Sequence, residues 1–113
     1  ELHWRRAERL ANMLKSEKLR DLNSRGKYGR TSLFYSVARG DLDITTEILD
    51  SKDMEANLIN VQDFLGDSAL MYASILGFTD LVELLIDRQA SMDYQNLGKR
   101  TAVQLAAEHG HDK

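Results

Sequence analysis

The side chains best suited to chemistry lie close to the end of the 113-residue chain. Glu108, His109, His111 and Asp112 fall within five positions, and imidazole and carboxylate groups are common metal ligands. They do not form the H-E-x-x-H pattern that holds zinc on a helix, and the chain has no cysteine to supply a thiolate. We therefore predict no metal site, no cofactor and no catalytic use of these residues.

Two carboxylate pairs support the same interpretation. Asp41 with Asp43, and Asp50 with Asp53, lie near predicted helix ends, where carboxylates cap the helix or are solvated. General acid or base catalysis would need a buried carboxylate with a second partner, and the sequence indicates neither. The phosphate-binding motif G-x-x-x-x-G-K-[ST] and the nucleophile motif G-x-S-x-G are also missing. The chain is predicted not to be an enzyme.

A ten-residue phrase that occurs three times indicates the elements that carry these side chains. It spans residues 31–40, 68–77 and 101–110, so its period is 37 and then 33 residues. A hydroxyl side chain at the start of the phrase can cap a helix, and a glycine at its end can leave the helix in a left-handed conformation. Each phrase therefore predicts one short helix, bounded by Thr31 and Gly40, by Ser68 and Gly77, and by Thr101 and Gly110.

A second helix is predicted after each of the first two phrases. Apolar residues recur there at helical spacing, and Asp41 and Thr79 are the candidate N-caps. A tight turn separates the two predicted helices, so each unit should contain two antiparallel helices.

The segments before the phrases keep the same register. Asn23, Asn60 and Asp93 each stand eight residues before a phrase, and an apolar residue precedes each of them. Gly29 and Gly66 stand two residues before a phrase, where a hairpin turn would need a positive φ. The repeat therefore predicts a turn as well as two helices.

This pattern resembles the ankyrin repeat, whose unit consists of a β-turn finger followed by two helices. Residues 66–93 match the family pattern, T-P-L-H-x-A-A-x-x-G-H followed by V-x-x-L-L-x-x-G-A-D-V-N, without a gap. The resemblance implies an all-α ankyrin-repeat solenoid of stacked helix-turn-helix units with short β-turn fingers. It also assigns His111 to the Gly-His of the repeat rather than to a metal site.

The departures from the family pattern are informative. The chain has no proline, so each unit lacks the residue that pre-sets the first helical turn. The family's histidine is replaced by Phe34, Met71 and Gln104, which puts its hydrogen bonds in doubt. Four extra residues lie between Leu49 and Ile59, so we expect either a longer second helix or a longer exit loop in that unit.

The units divide this single domain into four stretches. Residues 1–24 are interpreted as a capping or degenerate repeat helix, 25–61 and 62–94 as ankyrin repeats, and 95–113 as a partial repeat. Because the chain begins at Glu1 and stops within a unit, we expect the parent protein to be larger. No run of about 20 apolar residues and no signal peptide occur, so membrane insertion is not expected. A cytoplasmic or nuclear location is the default for such a chain without cysteine.

The net charge of −3 conceals an asymmetry along the chain. Residues 1–30 carry nine basic against four acidic residues, a net of +5, whereas residues 31–113 carry six against fourteen, a net of −8. The basic end could meet nucleic acid, an anionic lipid or an acidic peptide. Tyr28 beside Arg25, Lys27 and Arg30 fits nucleic-acid stacking in part, but a solvated helix with excess arginine accounts for the charge better, so nucleic acid is the less favoured partner.

The resemblance implies a partner-binding surface made of the finger tips and the exposed side of each first helix. In the middle unit this surface carries large apolar residues, and an apolar centre with a charged rim is typical of a protein-binding site. The predicted partner is a protein or peptide segment, acidic or acidic-flanked, with apolar anchors. The candidate residues are Arg25, Lys27, Tyr28, Arg30, Arg39, Phe64, Leu65, Asp67, Ile75, Leu76, Leu97, Arg100 and His109.

Two alternatives remain open for this surface. Leu65 or Ile75 could pack between repeats, or the chain could be a structural spacer covered by another part of a channel, kinase or transcription regulator. The resemblance also implies that Asn23 and Asn60 occupy the asparagine that is hydroxylated in some ankyrin proteins, and Asp93 departs from it.

Overall fold

Two layers of helices make up the computed structural model, which describes residues 2–17, 19–52, 54–55 and 57–110, with side chains from residue 8 onward. Three inner helices, α2, α4 and α6, pack side by side, and three outer helices, α1, α3 and α5, form the second layer. Within the described residues there is no β-strand, as an all-α solenoid requires. The helices are α1 Leu2–Ser16, α2 Ser32–Ala38, α3 Leu42–Asp50, α4 Ala69–Leu76, α5 Thr79–Asp87 and α6 Ala102–Glu108.

Glycines end the inner helices and shape the finger turns, as the phrase predicts. Gly40, Gly77 and Gly110 all have a positive φ after an inner helix. Gly29 and Gly66 have φ values of 75° and 83° in the turns before α2 and α4. A residue with a Cβ would be strained at each of these positions, so the repeated glycines follow from backbone geometry.

The hydroxyl caps are confirmed at α4 and α6 but wrong at α2. Ser68 and Thr101 each accept a hydrogen bond from the backbone N–H three residues later, and the side chains of Met71 and Gln104 accept from the backbone N–H of the cap residue in return. The equivalent Thr31 makes no side-chain cap bond, and its buried hydroxyl has no hydrogen-bond partner in the structure. Phe34 stands where the returning acceptor would be needed, and it has no polar atom to offer.

The outer helices begin differently from each other. Asp41 caps α3 by accepting from the N–H of Ile44 at 2.9 Å, as predicted. The prediction for α5 is wrong, because Thr79 is already its first residue and Phe78 occupies the N-cap without a side-chain bond. Both helices contain nine residues, so the four extra residues of the first unit lie in the exit loop that follows α3.

Asparagine side chains tie each unit to the loop of the next one. The amide oxygen of Asn23 accepts from the N–H of Glu55 at 3.0 Å, and that of Asn60 accepts from the N–H of Ser91 at 2.8 Å. Met92 is exposed, whereas the equivalent Leu22 and Ile59 are buried. The recurring asparagine therefore has a structural role in both places where it occurs.

The amino-terminal helix packs as the outer helix of an earlier unit would. Helix α1 lies against α3, and Arg9 pairs with Asp43 at 3.2 Å. Met13 is buried, and Leu10 and Leu14 are half-buried against the core. The side chains of Trp4 and Ala7, which share the predicted helical spacing, lie outside the described ones.

Candidate functional site

Three loops, at residues 25–30, 62–67 and 95–100, lie side by side ahead of the inner helices, and we call them fingers 1, 2 and 3 and together the finger row. The N–H of Phe64 donates to the carbonyl of Tyr28 at 2.9 Å, and the N–H of Leu97 donates to the carbonyl of Leu65 at 3.0 Å. Gln62 adds a side-chain bond across the row, from Nε2 to the carbonyl of Gln95 at 3.0 Å. Equivalent backbone bonds thus join finger 1 to finger 2 and finger 2 to finger 3.

Large apolar side chains stand exposed along this row. The exposed fractions are 53% for Tyr28, 68% for Phe64, 56% for Leu65 and 73% for Leu97. The ladder of backbone bonds joins the fingers, so these four exposed side chains lie on neighbouring, connected loops. Leu65 therefore does not pack between repeats, which was the alternative for this residue.

The inner helix of the middle unit contributes less than predicted. Leu76 in the last turn of α4 is 45% exposed, but Ile75 is half-buried and packs against the core. Of the two, Leu76 alone offers a large exposed apolar surface, so Ile75 is better described as a packing residue.

A buried carboxylate supports finger 2 from below. The side chain of Asp63 is fully buried, and its Oδ1 accepts from the backbone N–H groups of Leu65 at 3.0 Å and Asp67 at 2.9 Å. Its Oδ2 accepts from the hydroxyl of Tyr72 and pairs with Nε of Arg30 at 3.4 Å. Four donors on one carboxylate hold the finger in place.

The same cluster changes the pKa of its tyrosine, Tyr72. Burial, and then the hydrogen bond and charge of Asp63, raise the pKa of the Tyr72 hydroxyl well above its usual range. Tyr72 also stacks edge-to-face on Phe34, with ring centroids 5.0 Å apart. Asp63 was not singled out from the sequence. An acidic residue two positions before Leu65 in a predicted turn was the available signal.

Asp67 joins fingers 2 and 3. It is half-buried, and its Oδ1 accepts from Nδ2 of Asn96 at 2.9 Å. Burial raises the pKa of Asp67 above its usual value, although the bond from Asn96 opposes the shift. This predicted site residue therefore faces the neighbouring finger at least as much as a partner.

Most of the predicted rim charges are already paired within the molecule. Arg30 pairs with Asp63, Arg39 with Glu17 at 2.7 Å, and Arg100 with Glu108. Arg25 has no carboxylate partner among the described residues, but it donates to the backbone carbonyls of Gly29 and Gln62, at 3.1 and 2.7 Å. Of the cations predicted to border the apolar strip, Arg30 and Arg39 are therefore paired with carboxylates, whereas no carboxylate among the described residues pairs with Arg25 or Lys27.

Cations also lie over the exposed aromatic rings. The Nζ of Lys27 is 5.3 Å and the Cζ of Arg30 is 5.2 Å from the ring centroid of Tyr28. Arg25 lies 5.9 Å from the centroid of Phe64. These contacts use ring faces that stacked nucleic-acid bases would need, so they favour a protein partner over nucleic acid.

Metal and membrane chemistry find no support in the part of the chain that the structure describes. No group of three His, Cys, Asp or Glu side chains there could hold a metal ion. His109, which directly follows α6, contacts the carbonyl of Leu105 through Nδ1 at 2.9 Å, and His111 and Asp112 lie outside the described residues. None of the helices described is both long and apolar enough to cross a bilayer.

Comparison with known proteins agrees with the geometry. A family model described as ankyrin repeats (3 copies) matches residues 55–113. The chain is 35% identical over 85 residues, or 73% of its length, to the ankyrin repeat and SAM domain-containing protein 6 of Mus musculus. It is 33% identical over 85 residues to the protein of that name from Rattus norvegicus. In both cases the match spans 9% of the relative's own length.

Proposed function

Because the chain belongs to the ankyrin-repeat family, whose repeats are generally non-enzymatic protein-interaction modules, we propose that it binds a segment of a partner protein along the finger row. One observation carries the proposal: Phe64, Leu65 and Leu97 are large apolar side chains that stand exposed on a hydrogen-bonded backbone. Clusters of exposed large apolar residues on a protein surface typically mark an interaction site. Leu76 at the end of α4 extends the apolar surface.

The rigidity of this surface favours affinity. Each finger is tied to its neighbour by a backbone bond, and finger 2 is also held by the four donors on Asp63. Little conformational entropy is then lost on the receptor side when a segment binds. Apolar side chains of the partner would supply the affinity, and its acidic residues would be steered by the cations of finger 1.

The test removes the apolar tips without disturbing the scaffold. Phe64→Ala combined with Leu97→Ala should abolish recovery of cross-linked partners by the tagged full-length protein, because exposed aromatic and aliphatic anchors dominate such interfaces. Ile86→Ala on the outer helix α5 is the matched control, since Ile86 is also an exposed large apolar residue but lies outside the finger row. Helical circular dichroism should be the same in all variants. Equal recovery of the same proteins by the double variant would contradict the proposal.

An intramolecular role is the second candidate, and the length of the relatives favours it. Since the match spans 9% of those proteins, most of their chain is available to cover such a surface. Hydrogen exchange distinguishes the two roles: the amides of residues 64–66 should exchange equally in the isolated chain and in a longer protein that contains it if the row is open. Slower exchange in the longer protein, without any added partner, would support the spacer role.

The proposal extends to location. A cytoplasmic or nuclear module is expected from a chain with no cysteine, and imaging of the tagged full-length protein would check it. Fluorescence that accumulates in the secretory pathway would contradict that expectation.

A further inference from the structure

The repeat register aligns the finger tips position by position. Offsets of 37 and 33 residues make Lys27, Phe64 and Leu97 equivalent, so the first position of the tips runs from a cation to two apolar residues. The bonds from Phe64 to Tyr28 and from Leu97 to Leu65 confirm that neighbouring tips meet in this register. The finger row therefore begins with a positive charge and continues as an apolar surface.

The cation at this end is available to a ligand. Lys27 is exposed, and no carboxylate pairs with it among the described residues. Its ammonium group lies over the ring of Tyr28, at the very edge of the apolar surface. Because Lys27 is the finger 1 equivalent of Phe64, a segment that follows the row would pass from the apolar tips to this ammonium group.

A second available cation stands at the opposite end of the row. Lys99 occupies the turn position that is Gly29 in finger 1 and Gly66 in finger 2, and it adopts the same left-handed conformation, with φ of 62°. It is exposed and likewise has no carboxylate partner among the described residues. Lysine is strained in this conformation, whereas glycine is not, so the backbone itself does not favour a lysine here.

The other charges near the row largely neutralise one another. Arg30 pairs with Asp63, and Arg100 pairs with Glu108. Asp67, between fingers 2 and 3, is half-buried and accepts from Asn96. Two lysines at the ends of an apolar surface are therefore the charges that a ligand would meet first, with Arg25 beside the first of them.

We infer that the partner segment carries a carboxylate on each side of its apolar anchors, one held by Lys27 and the other by Lys99. This inference rests on the proposed function, because it specifies the chemistry of the segment that binds the finger row. Lys99 then becomes a specificity-determining residue. The partner segment would carry acidic residues on both sides of its apolar anchors and not on one side alone.

The geometry also limits the spacing of the two carboxylates. Neighbouring helices of a stack lie about 8 to 10 Å apart, so two steps along the row span roughly 16 to 20 Å. An extended chain rises about 3.3 Å per residue, which places the carboxylates about five or six residues apart. Apolar side chains between them would face Phe64, Leu65 and Leu97.

The experiment uses peptides as the probe. A phage-displayed library of random peptides, each about twelve residues long to cover this span with flanks, is selected on the 113-residue chain. Enriched peptides are then synthesised, and their binding is measured by fluorescence anisotropy.

We expect the enriched peptides to have Asp or Glu at two positions about five or six residues apart, with apolar residues between. Lys27→Glu and Lys99→Glu should each weaken binding by about three- to tenfold at low ionic strength, and less in high salt. Lys52→Glu, in the exit loop after α3, is the matched charge control and should leave binding unchanged.

Exchanging the charges of protein and peptide tests which lysine meets which carboxylate. Replacing one acidic residue of the peptide by lysine should restore binding to the Lys27→Glu variant, and replacing the other should restore binding to the Lys99→Glu variant. Such rescue would not occur if the substitutions acted by disturbing the fold.

The possible failures are distinguishable. Peptides that require Phe64 and Leu97 but ignore either lysine would overturn the two-ended inference and leave the proposed function standing. Enrichment of no peptide, or of peptides unaffected by Phe64→Ala with Leu97→Ala, would overturn both. Displacement of the peptides by a single-stranded oligothymidylate at low salt would overturn the inference in favour of a nucleic-acid ligand.

Discussion

The second and third units have equivalent residues in different surroundings. Helix α4 packs between α2 and α6, so its Leu70 is 2% exposed, whereas the equivalent Val103 of α6 is 62% exposed. Finger 2 is held by a buried aspartate, whereas Asn96 occupies that position in finger 3. The turn of finger 2 has Gly66, whereas that of finger 3 has Lys99. The same repeat position can therefore be buried and structurally essential in one unit, and be exposed or carry a different residue in the next.

Truncation of the equivalent helix residues should produce the largest difference between the two units. Leu70→Ala should lower the free energy of unfolding by about 2 to 5 kcal/mol, because it leaves a cavity between packed helices. Val103→Ala should change it by less than about 0.5 kcal/mol, because most of the side chain is already in water. Urea unfolding followed by circular dichroism measures both, and similar losses would mean that Val103 is covered in solution.

The residues that hold the fingers should differ by a smaller amount. Asp63→Ala removes the acceptor of four donors, one of them Arg30, and should cost about 3 kcal/mol. Asn96→Ala removes one bond to the N–H of Arg100 and one to Asp67, and should cost about 1 kcal/mol. The same unfolding measurement applies. A loss at Asn96 equal to that at Asp63 would show that the depth of burial does not set the cost.

The turn residues should give smaller effects than Leu70 or Asp63, and effects of opposite sign. Gly66→Ala should destabilise the chain by about 1 to 2 kcal/mol, since φ is 83° and a Cβ would lie 2.8 Å from the N of Leu97. Lys99→Gly should stabilise it by about 1 kcal/mol, because the left-handed strain disappears. Lys99→Gly should also weaken binding of the acidic-flanked peptides, because it removes one of the two ammonium groups. A loss of stability in Lys99→Gly would contradict the strain argument.

Local signals were sufficient to predict the helices and turns of this chain. The hydroxyl residue, the small apolar residues and the final glycine act within one helix, so the spacing of Ser68 and Gly77 predicts α4 to within a residue. The same local reasoning fails for Thr79. The ring of Phe78 lies close to Gly40, where an added Cβ would approach it to 3.1 Å. The residue at the N-cap of α5 therefore packs against the preceding unit, which the local sequence around Thr79 does not show.

Charges on the predicted site were harder to interpret, because their partners are distant in the sequence. Arg30 and Asp63 are 33 residues apart, and Arg39 and Glu17 are 22 apart. A sequence of one chain shows that these charges exist but not which of them neutralise each other. The exposed apolar tips, by contrast, follow from their place in the repeat, and Phe64 and Leu97 were predicted correctly as exposed.

The repeat pattern is enough to identify the chain as a stack of ankyrin units, because a pattern that recurs every 33 to 37 residues places caps, small residues and turns at fixed positions in each unit. Which parts of the surface are available to a partner becomes clear from the folded structure and not from the repeat pattern. Burial and ion pairing depend on what the neighbouring unit brings into contact, so Arg30 is paired with Asp63 and Ile75 packs against the core, whereas Lys27 and Lys99 are exposed.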